Sequence, residues 1–284
     1  MQILVTGVNG QLGSELRELS VNSKYDFLFT DVNELDLCNK TELFTFFEKN
    51  QIDVMINCAA YTAVDKAETD VEMARSVNAI AVKNLVEVAQ THAVKLIHVS
   101  TDYVFNGNHY QPLQEEDAVS PLGIYGETKR EGENYVLESD IDGTVIRTSW
   151  LYSSHGNNFV KTMMRLGKER SELGVIFDQI GTPTYARDLA KAILIMVKAG
   201  EPFRNKLYHF SNEGVASWYD FAKAIMEIAE IDCQVKPIGT ADYPTPAKRP
   251  HYSVMSKTRI KQDYGLEIPY WRDSLKECIG IMKL

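Results

Sequence analysis

Two residues of this chain, Tyr125 and Lys129, have types and spacing that could do chemistry. If the stretch is helical, their side chains lie on one face of the helix, one turn apart. A phenol with a pKa of about 10 can protonate the alkoxide that hydride transfer leaves, and a nearby ammonium group would help it to act near neutral pH. The same spacing is common on solvent-exposed helices, so the pair needs support from elsewhere in the chain.

That support comes from hydroxyl groups predicted at the end of a strand. Ser100 and Thr101 close the apolar run 94–100, and Asp102 follows them. Open α/β sheets bind their ligands at the carboxyl ends of the strands. A hydroxyl at that position could donate a hydrogen bond to a substrate carbonyl, so the pattern indicates reduction of a ketone.

A second site signal is the glycine pattern Gly-x-x-Gly-x-x-Gly at Gly7, Gly10 and Gly13. It follows a predicted strand and opens a predicted helix, where glycine permits close backbone approach and a helix N-terminus favours a pyrophosphate. The alternative is a plain strand-to-helix turn. The context favours a dinucleotide-binding loop.

Asp31 lies eighteen positions after Gly13, at the end of the second predicted strand. An acid there commonly binds the adenosine ribose hydroxyls. Its charge would repel a 2′-phosphate, and no Arg or Lys follows it before Lys40, so the residue favours NADH over NADPH. The alternative is a turn residue or helix cap.

Strands and helices alternate through the first half of the chain, which predicts a doubly wound parallel sheet of the Rossmann type. The predicted strands are 2–6, 27–29, 53–60, 94–100 and 144–150, and the predicted helices are 11–19, 41–49, 69–92 and 125–137. We expect a cofactor-binding domain over 1–150 that also takes back 186–210, with a smaller, interleaved substrate-binding lobe over 151–284. For that lobe the pattern predicts helices 158–168, 186–199, 217–231 and 272–282, a strand 207–210, Ser217 as a helix cap and a loop over 236–250.

Composition excludes several function classes. The net charge of −9 argues against broad binding of nucleic acid or anionic membranes, which require a basic surface. The four cysteines are scattered without metal-ligand spacing, so neither a zinc site nor a disulfide framework is expected. No signal peptide precedes the first strand and no apolar run approaches about 18 residues, which predicts a cytoplasmic protein.

Longer motifs carry a family resemblance. They are residues 5–13, 57–68, 77–78, 99–105, 125–129, 147–152, 178–184 and 249–253, and they run almost from end to end. In these motifs the chain resembles the extended short-chain dehydrogenase/reductases, and within them the dTDP-4-dehydrorhamnose reductase family.

The resemblance implies NADH- or NADPH-dependent reduction of the C4 ketone of dTDP-4-dehydro-β-L-rhamnose to give dTDP-L-rhamnose. It implies that Tyr125 donates the proton, that Lys129 is its partner and that Thr101 binds the carbonyl. With the glycines, the expected cofactor-binding residues are Gly7, Gly10, Gln11, Leu12, Gly13, Asp31, Asp36, Leu37, Ala60, Tyr61, Thr62, Tyr125 and Lys129. The expected substrate-binding residues are Thr101, Asp102, Trp150 and Arg249.

The resemblance also bears on metals and partners. Some family members are described with magnesium at a dimer contact, and a homodimer is one expected assembly. Glu15 matches an acid of that site, but Arg187 stands where another acid is needed, so no metal ligand is predicted.

Two other functions stay open. One is a regulatory binding subunit similar to the β subunit of methionine adenosyltransferase; the absence of an N-terminal extension argues against it. The other is a sugar-nucleotide epimerase or dehydratase. Related dehydratases carry Glu where this chain has Tyr103, so the additional acid–base step would lack its carboxylate.

Overall fold

The computed structural model describes residues 1–200, 202–203 and 206–283. Its strands are, in chain order, β1 (Gln2–Thr6), β2 (Asp26–Thr30), β3 (Val54–Asn57), β4 (Lys95–Thr101), β5 (Gly143–Thr148), β6 (Leu151–Tyr152), β7 (Glu172–Ile176), β8 (Ile180–Gly181), β9 (Thr184–Tyr185), β10 (Leu207–Phe210), β11 (Ala216–Ser217) and β12 (Gln234–Ile238). Its α-helices are α1 (Gln11–Ser20), α2 (Lys40–Lys49), α3 (Val64–Ala67), α4 (Val71–Arg75), α5 (Ala81–His92), α6 (Ile124–Leu137), α7 (Phe159–Glu169), α8 (Ala186–Ala199), α9 (Trp218–Ala229), α10 (Thr258–Tyr264) and α11 (Trp271–Met282).

The centre of the molecule is a six-stranded sheet in the order β2-β1-β3-β4-β5-β10, with every neighbouring pair parallel. Strands β3 and β5 are buried along their whole length. Strands that are buried on both sides need helices on both faces of the sheet. The strand order reverses between β1 and β3, and ligands of such sheets bind in the crevice at that point.

Helices cover both faces, which confirms the predicted doubly wound sheet. On one face, Leu16 of α1 and Ile193 of α8 pack with strand residues such as Val5. On the other face, Leu43 of α2 and Leu85 of α5 pack in a second core. Each core residue named here is almost fully buried. Burying one such aliphatic side chain stabilises the fold by roughly 1.5–3 kcal/mol.

The C-terminal part of the chain adds a smaller lobe with its own core. Helices α7, α9 and α11 pack there around the parallel pair β7 and β12. Ser217 caps α9 by accepting a hydrogen bond from the backbone of Asp220, whose carboxylate accepts one from the backbone of Ser217. The predicted cap is therefore confirmed, as are the predicted bounds of α8 and β10.

Several predicted boundaries were wrong, each for a local reason. Strand 53–60 ends at Asn57, because the Asn57 side chain accepts a hydrogen bond from the backbone of Ala59 and turns the chain. Strand 144–150 ends at Thr148, since Trp150 adopts a left-handed backbone with φ of 48°. The predicted loop 236–250 begins inside β12, where Pro237 is tolerated in a short two-stranded sheet.

The predicted helix 69–92 is not a single regular α-helix. A π-helical turn, Ser76–Ile80, separates α4 from α5. Such turns insert one residue into the helical repeat and often occur at functional sites. Here the turn brings Asn78 against α6, where no room exists for a side chain at Gly132. Hydrophobic periodicity gave no sign of this irregularity.

Candidate active site

A cavity of about 890 Å³ opens at the carboxyl edge of the central sheet, beside the crevice between β1 and β3. It collects most of the residues that the sequence singled out. Those lining it are Gly7, Gly10, Gln11, Leu12, Gly13, Asp31, Asp36, Leu37, Ala60, Thr62, Thr101, Asp102, Tyr125, Lys129 and Trp150. These residues come from separate strand ends, loops and helices, so the fold builds one site from them.

The glycine loop has the backbone that a dinucleotide requires. Gly7 has φ of 66°, and a Cβ there would lie 2.6 Å from the backbone nitrogen of Ala59. A Cβ on Gly13 would lie 2.5 Å from the carbonyl oxygen of Gly7. Gly10 is the N-cap of α1 and provides no side-chain hydrogen bond. The first amides of this helix therefore face the cavity open to an anion, and the loop fits a pyrophosphate.

Asp31 borders the same cavity and also holds the glycine loop. Its Oδ2 accepts a hydrogen bond of 3.0 Å from the backbone of Asn9, and its Oδ1 one of 2.8 Å from the backbone of Val32. The turn role that the sequence left as an alternative is therefore present. A carboxylate of this kind can still accept ribose hydroxyls, because each of its oxygens has a second lone pair.

Tyr125 is placed by the start of α6. Glu68 accepts a hydrogen bond of 2.9 Å from the Ile124 backbone, and Gly126 packs so closely on the Tyr103 carbonyl that any side chain would collide. The Tyr125 ring lies edge-on to the Tyr103 ring at 5.3 Å between centroids. The Thr101 hydroxyl donates a hydrogen bond of 3.2 Å to Asp102 Oδ1 and lies near enough to the Tyr125 phenol to lower the pKa of that phenol. A strand end and a helix start thus meet at one pair of hydroxyls.

Burial raises the pKa of Tyr125 to about 12; the Thr101 hydrogen bond opposes the rise and the nearby Asp102 carboxylate adds to it. The sequence led us to expect the opposite, with Lys129 lowering this pKa. The reason lies in the direction of the lysine: its Nζ donates a hydrogen bond of 2.7 Å to the Val99 carbonyl. The phenol therefore keeps its proton at neutral pH, which is the state a proton donor in ketone reduction needs.

Lys129 is itself buried at the floor of the cavity, with 1% of its surface exposed. Burial lowers its pKa to about 8, while the negative charge of Glu133 raises it. A lysine with this pKa is mostly an ammonium group at pH 7 and becomes neutral a little above pH 8. It supplies a positive charge in the working range and a titration that activity measurements can detect.

Asp102 and Trp150 line another part of the cavity wall. Burial raises the pKa of Asp102 to about 6, against the hydrogen bonds of Ser253 and Thr101. A buried carboxylate of this kind can accept a hydrogen bond from a sugar hydroxyl. Trp150 stacks on Trp218 with 3.7 Å between ring centroids, and its positive φ is a strained backbone that the surroundings must hold. Trp150 is thus both packed and exposed to the cavity.

Tyr61 and Arg249 lie outside the set of described residues that line the cavity. The Tyr61 hydroxyl donates to Asp70 at 3.1 Å, and its backbone is held by Asn78. Arg249 makes a two-fold ion pair with Asp65, at 2.8 and 3.1 Å. The guanidinium of Arg249, which was expected to bind substrate, is therefore occupied by a carboxylate.

Sequence reasoning missed two supporting groups. The Asn78 side chain bonds both backbone groups of Tyr61 and the hydroxyl of Thr128, so it joins the loop after β3 to α6. Glu133, one turn beyond Lys129, makes two hydrogen bonds of 2.8–2.9 Å with the buried Arg147. Both residues fall inside or next to the quoted motifs, but a motif does not say which partners a side chain meets.

The acid at Glu15 does not form a site that fits a divalent cation. Glu15, Glu18 and His155 bring their ligand atoms together, and such clusters can hold a metal. The guanidinium of Arg187 lies among them, 3.0 Å from Glu15 and 2.8 Å from Glu18, so a positive charge already occupies the position and offsets half of the charge of the two carboxylates. This agrees with the reason for which the sequence predicted no metal ligand here.

No helix in the described ranges combines the length and apolar character that a membrane crossing requires.

Comparisons with known proteins agree with this geometry. A dTDP-4-dehydrorhamnose reductase of Aggregatibacter actinomycetemcomitans is 44% identical over 285 residues, covering 97% of each chain. The structure of such a reductase from Clostridium acetobutylicum superposes with a TM-score of 0.96 at 42% identity, covering all of both chains. One from Bacillus anthracis, solved in complex with NADP, gives a TM-score of 0.94 at 38% identity, covering 99% of each.

A family model described as the RmlD substrate binding domain matches residues 1–284. Because the match takes in the glycine loop, the Tyr125–Lys129 helix and the C-terminal lobe together, it covers every part of the cavity wall. The chain belongs to this family.

Proposed function

We propose that this protein is an NAD(P)H-dependent oxidoreductase that reduces the C4 ketone of dTDP-4-dehydro-β-L-rhamnose to dTDP-L-rhamnose. The observation that carries the proposal is the meeting of Tyr125, Thr101 and Lys129 in one cavity with a glycine loop. Full-length relatives at about 40% identity carry the name of this reductase. A close structural neighbour was solved with NADP.

The chain's own residues divide the work as follows. The backbone of Gly10 and Gly13 binds the pyrophosphate of the cofactor, Asp31 its adenosine ribose, and Lys129 its nicotinamide ribose. The reduced nicotinamide supplies a hydride. The Thr101 hydroxyl orients the substrate carbonyl, and the Tyr125 phenol gives its proton to the developing alkoxide oxygen. A positioned general acid of this kind contributes about 10²–10⁴-fold to a rate.

The substrate-side wall supports a sugar nucleotide. We assign Asp102 to a sugar hydroxyl and Trp150 to the face of the sugar ring. For Arg249 a direct contact with the diphosphate would require it to leave Asp65, so we assign it to holding residues 245–249 against α3. Under this assignment the sheet domain binds the cofactor, and the C-terminal lobe contributes to the part of the cavity that binds the sugar nucleotide.

The rival functions meet specific obstacles. A dehydratase needs a carboxylate beside Thr101 and Asp102, and this chain places the Tyr103 ring there. A purely regulatory subunit needs no protonated phenol beside a threonine hydroxyl in the cofactor cavity, yet the chain has both groups there. A cytoplasmic location agrees with four free cysteines, since thiols stay reduced in that compartment. The homodimer stays a prediction.

The direct test is to incubate the protein with dTDP-4-dehydrorhamnose and NADPH or NADH. We expect loss of the reduced nicotinamide absorbance and formation of dTDP-L-rhamnose, identified by its proton spectrum. dTDP-glucose serves as the control for dehydratase activity. Turnover of dTDP-glucose without consumption of reduced cofactor, or no reaction with either sugar, would contradict the proposal.

Cofactor choice gives a separate prediction at Asp31. Replacing it with Asn keeps an acceptor for the Asn9 backbone but removes the negative charge that opposes a 2′-phosphate. We expect the ratio of kcat/KM for NADPH over NADH to rise at least about fivefold, because a charge repulsion of about 1 kcal/mol is relieved. A ratio that does not change would leave Asp31 as a loop residue only. Asp26→Asn, exposed at the opposite end of β2 and outside the cavity lining, is the matched control for charge.

A further inference from the structure

One hydrogen bond joins two residues of the cavity lining that are far apart in sequence. The Nδ2 of Asn158 donates to the Oε1 of Gln11 at 3.1 Å, and the Nε2 of Gln11 points to the Leu151 carbonyl at 3.5 Å. Gly156, with φ of 63°, packs so that a Cβ there would lie 3.2 Å from the Gln11 Cγ. The Gln11 side chain therefore makes two polar contacts and one close packing contact with residues 151–158.

The two ends of this contact belong to different halves of the site. Gln11 is the first residue of α1, directly after Gly10 of the glycine loop. Asn158 caps α7 and ends the stretch after β6. Trp150, Leu151 and residues 156–158 all line the cavity, so this stretch contains the wall that the proposed function assigns to the sugar nucleotide.

Asn158 also determines the shape of that wall. Its Oδ1 accepts a hydrogen bond of 3.1 Å from the Lys161 backbone and so caps the helix. Its Nδ2 donates to the Ser153 carbonyl at 2.7 Å and lies 3.4 Å from the His155 carbonyl. One side chain thus fixes the loop, starts the helix and reaches the glycine loop. A shift of Gln11 can therefore reach both the loop and the start of α7 through Asn158.

We propose that Asn158 is a positioning residue that couples the two binding sites: cofactor bound at the glycine loop fixes Gln11, and Gln11 through Asn158 sets the wall that receives the sugar nucleotide. The inference rests on the proposed function. Cofactor binding then strengthens binding of the dTDP moiety, and by linkage the dTDP moiety strengthens cofactor binding by the same factor. Coupling of this kind is typically about 5- to 150-fold.

A helix cap alone would also explain Asn158, so the test must separate the two roles. Asn158→Ser keeps a good N-cap but is too short to reach Gln11. Gln11→Leu breaks the same bond from the other side and also removes the contact with the Leu151 carbonyl. Thr162→Ala is the matched control, because its hydroxyl bonds the Asn158 carbonyl on the same helix without touching Gln11.

The measurement is the Kd of dTDP by calorimetry, with and without saturating NADP⁺, for the full-length wild type and each variant. We expect NADP⁺ to tighten dTDP binding at least about fivefold in the wild type and in Thr162→Ala, and less than about twofold in Asn158→Ser. The double variant with Gln11→Leu should lose no more coupling than either single variant, since both break one bond. If Asn158→Ser does not fold, Asn158→Asp decides, because it keeps the oxygen that caps α7 and loses the donor to Gln11: loss of coupling supports the inference and wild-type coupling overturns it.

Two failures are distinguishable. If NADP⁺ and dTDP both bind but the wild type shows no coupling, or Asn158→Ser keeps it, this inference is wrong and the proposed function stands. If neither ligand binds, the proposed function is wrong and the inference falls with it.

Discussion

Tyr125→Phe is expected to lower kcat at least about a hundredfold while the Kd for NADPH stays within about twofold. The substitution removes only the hydroxyl that donates the proton, and general acids contribute about 10²–10⁴-fold. The ring, its edge-on contact with Tyr103 and the burial of α6 are retained, so the fold should not change. Steady-state rates and a cofactor titration by fluorescence measure the two quantities.

Tyr103→Phe is the matched control for this experiment. It removes the neighbouring phenol of the same cavity, whose pKa burial also raises, without touching the Tyr125–Thr101 pair. We expect it to retain turnover within about threefold, since a group that gives no proton contributes no acid catalysis. Wild-type turnover in Tyr125→Phe would remove Tyr125 from the mechanism. An equal loss in both variants would point to the cavity's general polarity rather than to one proton donor.

Lys129→Met should produce the second large effect, a fall in kcat/KM of about a hundredfold or more together with weaker NADPH binding. Methionine fills the buried position without a charge, so what is lost is the ammonium group and its hydrogen bond to the Val99 carbonyl. Removing one preorganised donor from an active site commonly costs about 10²–10³ in rate.

The pH profile carries the more specific part of this prediction. Burial lowers the pKa of Lys129 to about 8, so the fraction carrying an ammonium falls as the pH rises through that value. The wild-type kcat/KM should therefore decline above about pH 8, and the residual activity of Lys129→Met should lack that decline, moving its optimum upward. Lys66→Met, an exposed lysine paired with Asp70, is the control. If the alkaline decline persists in Lys129→Met, another group causes it.

Much of the site follows from sequence because its parts are local. A glycine that must adopt φ of 66°, or a tyrosine one helical turn from a lysine, leaves a signature within a few residues. The alternation of apolar strands and amphipathic helices likewise indicates which strand ends share an edge. The order of strands and helices along the chain was therefore enough to predict that Gly10, Thr101 and Tyr125 line one cavity.

The rest depends on contacts that no local pattern encodes. Trp150 leaves its strand because of its left-handed backbone, and the π turn at Asn78 leaves the hydrophobic stripe of its helix intact. The pKa of Tyr125 depends on burial and on where the lysine points, and both are tertiary properties. Arg249 is an example of a residue whose type suited a diphosphate but whose partner is Asp65.

The most direct measurement is a crystal structure of the protein with NADP⁺ and dTDP-L-rhamnose bound. We expect the nicotinamide ring to lie in the cavity. We also expect the C4 oxygen of the sugar to lie within hydrogen-bond distance, about 2.6–3.2 Å, of both the Tyr125 phenol and the Thr101 hydroxyl. A ring facing away from Tyr125, or a sugar whose C4 oxygen lies against another donor, would contradict it.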